Sequence, residues 1–128
     1  MSESLVVVLA DSLTDGGRKA AIGVGVALAA LARGAKVHLF LSLESVMLGT
    51  PSGADGIRPR GFSEPLSDYL EHFLDLGGAL EVCSSCFEEY CRHLPQDGEG
   101  RTLLRPGTSI RGLGVIAERA VTMPVITF

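Results

Sequence analysis

Leu5 to Ala10 reads Leu-Val-Val-Val-Leu-Ala, an apolar, largely β-branched run with no polar residue alternating through it. A strand with one wet face alternates. A strand without alternation is covered on both faces, which is the condition of a parallel sheet with helices packed against it. Parallel neighbours cannot be joined by tight turns, so the segments between strands must hold right-handed crossovers.

The chain supplies them in order. Asp11 to Gly17, with Ser12, Thr14, Asp15 and two glycines, is a turn that leads into a helix from Arg18 to Arg33, with Gly34 as its stop. Val37 to Leu41 forms a second strand. Ser42 to Glu44 then leads into a short apolar turn at Val46 to Leu48. Leu66, Tyr69, Leu70, Phe73 and Leu74 recur at helical spacing, and that helix ends at Gly77 and Gly78. Leu80 to Val82 is a third strand, turning at Cys83 into a helix whose first turn holds Cys86. After a loop at Pro95 to Pro106, Ile110, Leu113, Ile116, Ala117 and Ala120 make another helical stripe, and Val125 to Phe128 closes the chain as a strand behind Pro124. The alternation predicts an α/β protein with a mainly parallel sheet.

Two stretches stand apart. The helix from Arg18 to Arg33 has almost no polar face, so in a domain this small a second subunit is its expected cover. Gly23 and Gly25 fall inside that helix and not at a strand-to-helix turn, which points to close packing and not to a dinucleotide fingerprint. Gly49 to Pro65, rich in proline and glycine and carrying Arg58 and Arg60, is a long irregular segment. His72 is expected on a polar helix face, and His38 within the sheet.

With 128 residues, 46% of them hydrophobic, the chain has the material for one domain spanning 1–128. A net charge of −4 gives no basic footprint, so nucleic acid and anionic membrane surfaces are not expected partners. Met1 to Leu13 lacks the positive start of a secretory signal, and Ala20 to Ala32 falls short of the roughly 20 residues that span a bilayer. An odd number of clustered cysteines suits a reducing compartment. A cytoplasmic protein is the expectation.

Every cysteine lies between Cys83 and Cys91. In open parallel sheets the functional crevice lies outside the carboxyl ends of the strands, and there the sequence places Asp11 and Ser12, Ser42 and Glu44, and Cys83. A thiol at a helix start faces unpaired N–H groups that favour the thiolate. Four readings compete: nucleophilic transfer of sulfane sulfur, a Cys83–Cys86 dithiol couple, zinc held with Cys91 and His93, or thiols that are only packed. Ser84 and Ser85 lie between the pair, and Glu81, Glu88 and Glu89 oppose a strongly depressed thiol pKa. Zinc fits poorly, because a continuous helix from Cys86 to His93 turns Cys91 away from Cys83. No metal and no cofactor is expected.

The order and spacing of these segments resemble the DsrE/DsrF-like family, which includes the TusD-type sulfur-relay proteins. The resemblance runs through the Asp-Ser-Leu-Thr-Asp-Gly-Gly turn, the Gly-Ala-Lys-Val-His-Leu-Phe-Leu strand with Ser42 to Glu44, the Gly-Ala-Asp-Gly-Ile loop, Gly77 and Gly78, Val-Cys-Ser-Ser-Cys, and the Gly107 to Leu113 approach to the last helix. It implies a flavodoxin-like three-layer fold, assembly into a homotrimer or hexamer, and a TusA-like sulfur-carrier protein as partner. By position it makes Cys83 the sulfur-carrying residue, with Cys86 as a second thiol. Where relatives carry Arg-Gly this chain has Tyr90 and Cys91, so no role passes to Cys91. The expected function is a persulfide relay, with a dithiol oxidoreductase or a non-catalytic oligomeric module as alternatives.

Overall fold

The computed structural model describes residues 3–128. Five strands form one sheet: β1 (Ser4–Ala10), β2 (Lys36–Ser42), β3 (Ala79–Cys83), β4 (Ser109–Arg111) and β5 (Val125–Thr127). The order across it is β4-β3-β2-β1-β5, with every pairing parallel. The helices are α1 (Arg18–Ala32), α2 (Leu66–Asp75), α3 (Ser84–Cys91) and α4 (Gly114–Ala120), and a 3₁₀ segment spans Leu43–Gly49. The protein is therefore α/β, as the unbroken apolar strands require.

Topology and handedness decide which face each helix covers. Strands β1 to β4 are added in one direction and β5 in the other. Right-handed crossovers then put the helices of the first group on one face and α4 on the opposite one. The register agrees: Val7 and Leu9, Leu39 and Leu41, Leu80 and Val82 share the first face, and Val6, Val8, His38, Phe40 and Glu81 the second. Leu9, Leu39, Leu41, Leu80 and Val82 are all fully buried. On the first face α1 packs beside α2, and the 3₁₀ segment meets the first three strands and α3.

Close approach explains one of the two helical glycines. A side chain at Gly23 would collide with the end of the Leu9 side chain and crowd Phe128, so any larger residue there must push Leu9 aside. Gly25 faces open space. The sheet covers the Ala20, Ala21, Gly23, Val24 and Ala27 side of α1, which leaves Ile22 51% exposed.

One sequence expectation needs correction. Ile110 does not belong to the last helical stripe. It lies in β4, paired with Val82, and α4 begins only at Gly114. The three-residue spacing of Ile110 and Leu113 is helix-like by coincidence, because Gly112 separates a strand from a short helix. With its start lost, α4 has no buried residue, and Leu113 ahead of it is 63% exposed.

Candidate active site at the carboxyl edge of the sheet

Cys83 ends β3 and caps α3. Its extended backbone, φ −65° and ψ 124°, turns the chain directly from strand into helix with no loop between. Short crossings of this kind aim the first N–H groups of the helix at the side chain of the capping residue. Burial pushes the Cys83 thiol up, since the residue is only 1% exposed. The N–H of Cys86, the Ser85 hydroxyl at 3.6 Å, the Cys86 thiol and the Ser85 N–H outweigh that effect, and Cys83 is held below the ordinary cysteine range.

Cys86 stands one turn further on, half-buried, with its thiol on Cys83. Burial raises its pKa, the main-chain N–H of Leu43 opposes this, and donation to Cys83 together with that residue's negative charge raises it further. Cys83 is therefore the first of the pair to ionise, and Cys86 follows it. Ultraviolet thiolate absorbance should rise first below the pH of an ordinary cysteine, from Cys83, and again above it, from Cys86 and the buried Cys91. In Cys86→Ala the lower phase should move up, because one donor to Cys83 is gone. Absence of any phase below the ordinary position in the wild type would contradict that order.

Cys91 is apart from this pair. It is fully buried, and burial pushes its thiol up to about 11. Iodoacetamide should leave Cys91 unmodified in the folded protein at pH 8 and label it once denaturant is added, as peptide mapping would reveal. His93 is exposed. Among the described residues no three His, Cys, Asp or Glu side chains gather in a way that could hold a metal ion.

The other expected site residues reach the same edge of the sheet, with different roles. Ser42 donates its hydroxyl to the Leu9 carbonyl at 3.0 Å, tying the ends of β1 and β2 together. The adjoining Leu43 touches Cys86 through its N–H. Asp11 is 5% exposed; its main-chain carbonyl accepts the Ser45 N–H at 3.0 Å, and its Oδ2 has no hydrogen-bond partner among the described residues. Ser12 pairs with the Thr14 hydroxyl at 3.0 Å. Glu44 is half-buried, and none of the ion pairs among the described residues involves it. Of these four, the Ser42 segment alone is brought to the thiols by a hydrogen bond.

Sequence reasoning missed three features. Leu13 and Leu43, just beyond β1 and β2, adopt left-handed backbone at φ 59° and 54°. Leucine there costs on the order of 1–3 kcal/mol, so the surrounding structure holds both turns against their preference. Glu81, two residues before Cys83, is 2% exposed and bound by both Nη atoms of Arg119. Its charge is met by that pair, two residues from a Cys83 thiol whose pKa is lowered. A carboxylate inside an otherwise apolar strand was the available signal, since it demands a cationic partner. Arg105 is the third: 4% exposed, it bonds the Leu48 carbonyl through Nε at 2.8 Å and Glu71 through Nη1 at 2.5 Å, fastening the loop before β4 to the 3₁₀ segment and α2.

Beside the thiols, on another side of α3, runs a groove of about 730 Å³. Ser84 and Phe87 of α3 and Arg92 just after it line the groove with Leu103, Leu104 and Ile110, and neither Cys83 nor Cys86 does.

No family model matches the chain, and a search of curated proteins finds no match. Among solved structures, the crystal structure of the ychN protein from E. coli aligns over 100% of both chains with a TM-score of 0.71 at 21% identity. The chain has the fold of that protein. Full coverage of both chains leaves no added or missing layer between them. No helix among the described residues is long and apolar enough to cross a membrane.

Proposed function

We propose that the protein is a sulfur-relay protein of the cytoplasm, in which Cys83 holds sulfane sulfur as a persulfide and passes it to a partner thiol. The observation that carries the reading is the Cys83 thiol at the strand-to-helix turn, kept below the usual range by N–H and hydroxyl donors despite its burial. In the reaction a thiolate attacks the outer sulfur of a donor persulfide. The new S–S bond forms as the donor's own S–S bond breaks, and the donor leaves as a thiolate, so no electron is gained or lost overall. A homotrimer or hexamer and a TusA-like carrier as partner belong to the same reading. The exposed Ile22 side of α1 is the surface offered to another subunit, and light scattering at micromolar concentration should find more than monomer.

The test is intact mass after exposure to a sulfane-sulfur donor and removal of the excess. Wild-type protein should keep one added sulfur that an acceptor thiol can take off. Cys83→Ser should keep none. A variant that retains and transfers sulfur as the wild type does would remove Cys83 from the role.

A second reading, a dithiol/disulfide couple, is favoured by the C-x-x-C spacing of the two thiols across the start of α3. It requires a reversible Cys83–Cys86 disulfide on mild oxidation, abolished by Cys86→Ser.

A further inference from the structure

The best-placed nucleophile is nearly closed off from solvent. Cys83 is 1% exposed, with the Ser85 hydroxyl and the Cys86 thiol closing over its sulfur. Cys86 is half-buried and forms the outer member of the pair. Displacement at sulfur needs the attacking thiolate, the sulfur attacked and the leaving sulfur close to a line. A large donor cannot meet that demand at a sulfur enclosed on its open side.

We infer that Cys86 is the port of the site: sulfane sulfur reaches and leaves Cys83 by way of Cys86, the less buried of the two residues and one helical turn away from it. This rests on the relay reading and adds an internal step to it. The Cys86 thiolate attacks the outer sulfur of the donor persulfide, and the donor leaves as a thiolate that takes up the released proton. The Cys83 thiolate then attacks the outer sulfur of the Cys86 persulfide. The bond from Cys86 to that sulfur breaks, Cys86 leaves as thiolate and regains a proton, and the sulfane sulfur keeps its oxidation state throughout. Delivery to an acceptor is the reverse sequence.

The surroundings suit each thiol to its step. Sulfur at Cys83 lies against the N–H groups of Ser85 and Cys86, while the Leu43 N–H steadies Cys86 each time it carries negative charge. Leu43 itself, 45% exposed and held in left-handed backbone, stands beside the port. Of the two thiols, Cys83 is the better leaving group, which favours outward transfer to Cys86 once an acceptor has emptied it.

The experiment follows sulfur loading over time on the full chain with a persulfide carried on a donor protein, using intact mass and fragmentation of the peptide that holds both cysteines. In Cys86→Ser, loading of Cys83 should slow on the order of tenfold or more, because access and not thiolate character limits it. Cys83→Ser should gain sulfur on Cys86 while donor is present and lose it when donor is removed. Alkylation of Cys83 by iodoacetamide, compared between wild type and Cys86→Ser, reveals whether the substitution itself altered access, and the loading rates are compared after that correction. Loading of Cys86→Ser at the wild-type rate would overturn the inference and leave the relay standing. So would sulfide release with a Cys83–Cys86 disulfide as the main product. Failure of the wild type to load at all would remove the relay reading itself.

Discussion

Arg119→Ala should lower the free energy of unfolding by about 3 kcal/mol, toward the lower end of the range for breaking a buried ion pair. Glu81 is 2% exposed, and both Nη atoms of Arg119 lie on its carboxylate, so the substitution leaves a buried charge without its main partner. The low end applies because His38 Nδ1 at 3.5 Å and Arg111 Nε at 3.9 Å remain nearby. Replacing both members, Glu81→Leu with Arg119→Leu, should recover most of the loss, since no charge is then stranded. Urea midpoints of the wild type and the two variants check this. A loss below about 1 kcal/mol in Arg119→Ala would mean the pair is solvated and does not hold α4 to the sheet.

Phe73→Ala should cost about 3–5 kcal/mol, the usual range for emptying an aromatic site in a core. Phe73 is fully buried on α2, and its ring lies where a side chain at Gly78 would project. Gly78→Ala should therefore cost about 1–3 kcal/mol on its own through overpacking. In the Phe73→Ala background the added methyl enters a cavity, so the second substitution should cost little or restore stability. Equal and additive costs in the double-mutant cycle would show that ring and glycine do not touch.

These two sites also mark what could be read from the sequence. Phe73 was legible, because Leu66, Leu70 and Phe73 keep helical spacing over an uninterrupted helix, and periodicity reports packing. The three longest strands were legible for a different reason, as short apolar runs bounded by turn residues. Ile110 was not, since a three-residue strand is too short to carry a period and pairing with β3 decides its form. Cys83 was legible as a position at the end of a strand. Its enclosure was not, because burial of a capping side chain depends on what Ser85, Cys86 and the Ser42–Leu43 turn do in three dimensions. The Glu81–Arg119 pair links residues far apart in the chain, and only the topology that sends α4 to the second face brings them together.

The brevity of β4 and β5 has a consequence for association. Both are edge strands, each three residues long, and a free edge is where one sheet recruits another. Edges so short offer a foreign strand at most one or two ladder bonds. Arg111 ends one of them with a charge, and Pro124 precedes the other with no N–H to give. The protein thus guards its hydrogen-bonding margins, and runaway stacking into fibrils is disfavoured even though the long interior strands are as apolar as any amyloid core.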